Sequence, residues 1–187
     1  VTSRTRWVIK RDRRLIDTGE YEIVTPDKIA DQDIPRIAEL YQMLYIDKYS
    51  SHNPQFTEAF FRLALQEQLL NIYGLRRNGR IDAVLGFFGR DTVMTTPLFG
   101  YDTTLPAETG LYRMLSVMLI DLSAARGQLL HESSGVGQFK RNRGAYGTLE
   151  VSAVDDRGGS MAIRGGWWLL EKLLYRIGVP LIQKMKL

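Results

Sequence analysis

The segment Leu129–Gly144, LLHESSGVGQFKRNRG, gathers the side chains best suited to chemistry in this chain. Glu132 closes a short run (128–132) that reads as a strand, and a carboxylate at a strand end is a candidate proton acceptor. Its neighbour His131 points to the opposite face by strand alternation, and is expected to be buried and hydrogen-bonded. Ser133, Ser134, Gly135 and Gly137 then form a tight loop into a short helix over 138–142. Small residues there let backbone N–H groups approach an anion, and a serine hydroxyl either caps the helix or holds a ligand. Lys140 opens a basic run with Arg141 and Arg143, as an anion-binding cation or a solvated one. Tyr112 and Tyr146 add phenols. Asp102 adds a carboxylate that faces a substrate or caps a turn.

Composition removes other chemistries. The chain has no Cys, which excludes disulfides, thiolate-bound zinc and a cysteine nucleophile. With two histidines, His52 and His131, no metal site is expected. At 187 residues, 44% hydrophobic and 25% charged, the chain has the profile of one globular domain with a sizeable core. No apolar run approaches the ~18 residues of a membrane span. The start, VTSRTRWVIKRDRR, is basic without an apolar centre, so it is not a signal peptide. Its charges, Arg4, Arg6, Lys10, Arg11, Arg13 and Arg14, suit a solvated helix face better than a nucleic-acid arm. Residues 1–19 are therefore expected to be a linker helix from an upstream half, and 20–187 a single domain. The expected location is cytoplasmic or peripheral to an inner membrane.

The elements that must position these residues follow from periodicity. A helix over Arg4–Asp17 should stop at Gly19, before a strand at Tyr21–Thr25. Asp31 or Asp33 caps a helix running to Tyr49, and Asn53-Pro54 opens another. Strands at 71–77, 80–89 and 92–101 are joined by turns at Asn78-Gly79 and Arg90-Asp91, and must be antiparallel. A helix over Leu111–Ala125 is followed by the strand at 128–132, the short helix and a strand at Thr148–Val154. A C-terminal helix from Met161 ends before Pro180. Its Trp167-Trp168-Leu169-Leu170 face is expected to pack on the sheet, with contact to a membrane surface as the alternative.

The segment Gly110–Val154 resembles bacterial GNAT-superfamily proteins related to exopolysaccharide- and cellulose-associated acyltransferases. More distantly it is similar to the Fem-type peptidoglycan aminoacyl ligases. The resemblance rests on Glu132, Ser133, Ser134, Gly135, Phe139, Lys140 and Gly144, and the predicted element order agrees with it. It implies an α/β (α+β) fold: a mixed, mostly antiparallel sheet flanked by helices on both faces and splayed between its fourth and fifth strands. The acyl donor would enter that split, with phosphates on the helix after the fourth strand.

The resemblance further implies an enzyme that moves an acyl group to an amine or hydroxyl of a small molecule, envelope sugar or precursor. Acyl-CoA would be co-substrate, with no bound cofactor. Lys140, after Phe139, would stabilise an oxyanion or hold a phosphate. Glu132 would act as base and Tyr112 or Tyr146 as acid. Gly110, Ser133, Ser134, Gly135 and Gly137 would contact the donor. The loop Pro106–Tyr112, with one glycine and Glu108, departs from the Gly-rich loop of CoA-dependent relatives, because a carboxylate there repels a pyrophosphate. Two alternatives therefore stay open: an aminoacyl-tRNA-dependent ligase with tRNA as partner, and a non-catalytic binding module. An upstream domain or a second copy of the chain would complete the assembly.

Overall fold

A computed structural model describes residues 2–133 and 135–185, and the chain divides into two units, Val1–Ser134 and Gly135–Leu187. In the first, helix α1 (Ser3–Asp17) begins where the Thr2 hydroxyl accepts the Thr5 N–H at 3.1 Å. Strand β1 (Glu22–Val24) precedes α2 (Ile34–Tyr41), which continues as a π-helical segment over Gln42–Tyr49. The widened turn is marked by Ser50 N–H bonding to the Tyr45 carbonyl at 3.1 Å. Helix α3 (Glu58–Gln66) starts later than Asn53-Pro54 suggested. Thr57 is its cap and accepts the Phe60 N–H at 3.3 Å, while the Pro54 carbonyl is taken by the Tyr41 hydroxyl at 2.7 Å.

Strands β2 (Asn71–Arg77), β3 (Arg80–Arg90) and β4 (Val93–Tyr101) form the meander. The first turn is Asn78-Gly79, both at positive φ as a type I′ hairpin requires. The second lies one residue later than expected: β3 extends through Arg90, and Asp91 takes the left-handed conformation. Helix α4 (Leu111–Ala125) matches its predicted bounds, and β5 (Leu129–His131) completes a sheet of order β1-β2-β3-β4-β5. All pairs are antiparallel except β4–β5, which is parallel.

Each sheet face carries its own core. Leu75, Leu85 and Phe87 pack with Leu111, Met114, Leu115 and Met118 of α4 on one side. Ile72, Ile81, Val84 and Leu98 pack with Ile37 and Leu40 of α2 and Phe61 of α3 on the other. Strand β3 reads as a continuous apolar run over 83–87 because it is covered on both faces. Helix α1 joins the α4 side: Val8 is buried, Leu15 and Ile16 pack on that core, and the Arg13 guanidinium pairs with Asp121.

The sheet opens at one place. Strand β5 pairs with β4 only at Val93–Thr95. Immediately beyond, Thr96 and Pro97 together face Phe87, since Thr95 pairs with Phe88 and Leu98 with Gly86. This bulge follows from Pro97, which has no N–H to continue a ladder, and Thr96 bonds the Gly86 carbonyl at 3.0 Å instead. The rest of β4, Thr96–Tyr101, runs without a β5 partner.

The second unit carries α5 (Gly137–Arg141), α6 (Met161–Leu173, extended as a π-helical segment over Leu174–Gly178) and α7 (Val179–Met185). Three expectations change here. Thr148–Val154 is not a strand: its residues are irregular and exposed, because alternation alone does not supply ladder bonds. Helical structure continues past Pro180, which sits in the first turn of α7 after the π segment, where a missing N–H costs little. No residue of α6 is buried, so Trp167, Trp168 and Leu169 are exposed rather than packed. Among the described residues no helix is long and apolar enough to cross a membrane.

Candidate active site

Where β4 runs into α4, a cleft of about 190 Å3 is lined by Lys48, Tyr101, Asp102, Gly110, Tyr112 and Arg113, among others. Gly110 turns the chain into the helix at φ +77, a conformation that β-carbon-bearing residues rarely adopt. A Cβ there would lie 2.8 Å from both the Arg113 guanidinium and the Leu15 side chain, so α1 and Arg113 close tightly on this turn. The backbone bond from Met114 N–H to the Gly110 carbonyl is the first of α4, which leaves the N–H groups of Leu111, Tyr112 and Arg113 unused within the helix.

Arg113 donates to the Glu108 carbonyl at 3.2 Å. A cation in the first helical turn opposes the helix dipole, and the Glu108 side chain beside it is exposed to solvent. The loop thus carries both charges, not the carboxylate alone.

Tyr112 is half-buried, its ring 5.7 Å from Phe99 and 6.1 Å from Tyr101. Burial foremost, then the fields of Tyr49, Glu132, Tyr101 and Tyr45, pushes its phenol up to about 12. Gly110 and Tyr112 thus line one cleft, and the Glu132 carboxylate is among the charges that act on the Tyr112 phenol. His131 ends β5 half-buried, short of the full burial expected of it.

Lys48 donates to the Tyr101 hydroxyl at 2.9 Å and lies 5.3 Å from the ring centre, and that hydrogen bond holds the ammonium above its ordinary range. Asp102 caps a turn. Its carboxylate, 2% exposed, accepts from the Thr104 N–H at 3.0 Å and from Arg36 at 2.6 Å, and pairs with Arg80. Burial alone would raise its pKa, but the Thr104 and Arg36 bonds outweigh it and hold the group below the usual carboxylate range.

The remaining predicted residues fall elsewhere. Ser133 is the penultimate residue of the first unit, exposed and at φ +56. Ser134 lies outside the described residues. Gly135, Gly137 and Lys140 belong to the second unit. The cap position of α5 is Val136 at φ +42. Lys140 is half-buried, and Tyr146 is 69% exposed in the irregular segment. Among the described residues no cluster of three or more His, Asp or Glu is placed to hold a metal.

Sequence reasoning missed Lys48, Tyr101 and Arg113. A signal existed: Tyr41, Tyr45 and Tyr49 recur every fourth residue, which puts three phenols along one side of a helix, and Tyr41 and Tyr45 stack at 4.6 Å. For Arg113 the signal was a cation three residues into a helix.

Solved structures with the same fold include an acetyltransferase from Trypanosoma brucei (16% identity, TM-score 0.52, 72% of this chain and 99% of that one). A predicted acetyltransferase from Clostridium acetobutylicum, solved with acetyl-CoA, aligns at 14% identity and TM-score 0.53 over 74% and 97% of the two chains. An aminoglycoside acetyltransferase from an uncultured soil metagenomic sample, in complex with sisomicin, aligns at 10% identity and TM-score 0.51 over 74% and 96%. No curated protein matches the sequence. Residues 3–140, which hold the split sheet, the α4 cleft and Glu132, match the acetyltransferase (GNAT) domain, and the chain belongs to that family of acyl-transferring enzymes.

Proposed function

We propose that this enzyme takes its acyl group from acyl-CoA and passes it to an amine or hydroxyl of a small molecule, with an envelope sugar or sugar precursor as the acceptor class. The observation that carries the donor assignment is the continuity between the open half of β4, Thr96–Tyr101, and the N-terminal turn of α4 with Arg113. A strand edge without a β5 partner suits the amide groups of a pantetheine arm, and the N-terminal turn of α4 beside a guanidinium suits its pyrophosphate. The solvated Glu108 carboxylate, set against Arg113, is a weak objection to that anion, which favours acyl-CoA over an aminoacyl-tRNA donor.

Transfer would proceed in a ternary complex. The acceptor nitrogen or oxygen attacks the thioester carbonyl, forming a C–N or C–O bond as the C–S bond breaks. Glu132, directly or through a water, takes the acceptor's proton. Tyr112, protonated at neutral pH, gives its own to the departing sulfur and is then reprotonated, so the net product pair is acylated acceptor and free thiol. The role proposed for Lys140, steadying the oxyanion, rests on the Phe139-Lys140 pair in the sequence and not on its placement.

The test is calorimetric titration with CoA and acetyl-CoA, using Arg113→Ala and Lys140→Ala alongside the unaltered chain. Micromolar binding that weakens in Arg113→Ala supports the reading. Absence of binding at millimolar ligand sinks acyl-CoA as the donor.

A further inference from the structure

A second cavity, of about 260 Å3, lies on the α2–α3 side of the sheet, and every side chain lining it is apolar. Phe56 and Phe60, stacked at 4.2 Å, form one wall. Leu69 and Phe88 stand at it half-exposed, at 54% and 42%. Its remaining wall includes Pro97 and Leu98 of β4. Those two residues lie in the open half of the strand, just past Thr96 and the last β4–β5 pair, Thr95 with His131, and Pro97 is part of the bulge. The cavity thus shares two residues with the open half of β4, beside which the proposed donor lies.

We propose that this cavity receives the alkyl tail of the acyl group, so that the enzyme takes linear acyl chains longer than acetyl. The proposal rests on the acyl-CoA reading above. A thioester carbonyl at the bulge places its substituent beside Pro97, and a cavity with no polar side chain offers nothing to an amine, a hydroxyl or a sugar. It does match a hydrocarbon. An apolar cavity of about 150 Å3 holds benzene, so this one has room for a chain of about six to eight carbons. Exposed Leu69 and Phe88 also gain a cover when the chain is bound. The reaction is unchanged: the same C–S bond breaks, the acceptor bond forms, and the acceptor's proton ends on the thiol.

The experiment titrates the full chain with acetyl-, butyryl-, hexanoyl- and octanoyl-CoA, unaltered and as Leu69→Trp and Phe88→Ala. Affinity should rise up to about fourfold for each methylene that enters the cavity and level off near eight carbons. Leu69→Trp, which fills the cavity from an exposed position, should bring the hexanoyl-to-acetyl ratio close to one. Phe88→Ala should move the plateau to longer chains, a gain that a merely damaged fold does not produce. A flat series with acetyl-CoA still bound overturns the cavity assignment alone, as does a rising series that Leu69→Trp leaves intact. Failure of every thioester to bind removes the donor reading with it.

Discussion

The rings of Tyr101 and Tyr112 lie 6.1 Å apart, centre to centre, tilted by 57°, so the last residue of β4 and the second of α4 present two phenols to one cleft. Burial is the largest cause of the rise of Tyr112 to about 12, and it makes this phenol a proton donor throughout the physiological range. Tyr112→Phe should lower kcat by about 100-fold with little change in donor affinity. The sign of the pH effect follows. A group raised above its ordinary value stays protonated as pH climbs, so its contribution is lost only on passing about 12. A basic limb between pH 7 and 10 that persists in Tyr112→Phe belongs to another group. A limb in that range that vanishes with the substitution would refute the assignment.

Arg113 bridges the two features of the turn before α4, its donation to the Glu108 carbonyl and its approach to Gly110. Removing it should weaken acyl-CoA binding by about tenfold, the usual scale for one charge-assisted bond. Glu108→Gln should alter binding by less than threefold, because that carboxylate is solvated and screened. Titration at low and high salt checks both: the Arg113→Ala deficit should shrink as salt rises.

The parts of the fold legible in the sequence were those with a local cause. Helix α4 was bounded correctly because Leu111, Leu115, Met118, Leu119 and Leu122 share one helical side and Gly127 stops it. Asn78-Gly79 announced its hairpin because few other pairs accept two positive φ values. Thr148–Val154 failed because alternation states only what a strand would bury, and these residues are exposed. The site was legible in fragments. Gly110 and Tyr112 of the predicted residues line the α4 cleft, but Lys48 and Tyr101 meet across 53 positions and only through the π-helical turn. Glu132 and Lys140, close in sequence, fall in different units.

Asp102 anchors the turn that begins the donor cleft, with Arg36 and Arg80 on its carboxylate. Asp102→Asn leaves those guanidiniums without their anion and should cost about 3 kcal/mol. Its pKa is held low in the folded state, so its contribution is complete above the unfolded value of about 4 and disappears as pH falls through the folded one. Urea denaturation at pH 7 should show the full deficit, and at pH 3, below the unfolded value, the deficit should be smaller. Equal deficits at both values would mean that the ion pairs are not its source.

Gly100 sits in the open half of β4 against the backbone of α2, where a Cβ would come within 2.9 Å of the Leu40 carbonyl carbon and 3.0 Å of the Tyr41 nitrogen. Backbone cannot rotate aside as a side chain can, so Gly100→Ala must push the helix away from the strand. A stability loss of about 1–3 kcal/mol is expected from overpacking. The same helix continues into the π-helical segment that carries Tyr45 and Lys48, so the displacement should also part Lys48 from the Tyr101 hydroxyl. Gly74→Ala supplies the control: in β2 its Cβ would meet Ile81 and Val24 at 3.5 and 3.6 Å, ordinary contact distances. Thermal melts should separate the two variants clearly, and donor titration should show a deficit in Gly100→Ala alone. If Gly100→Ala melts with the unaltered protein, β4 and α2 are not held as closely as their backbone approach requires.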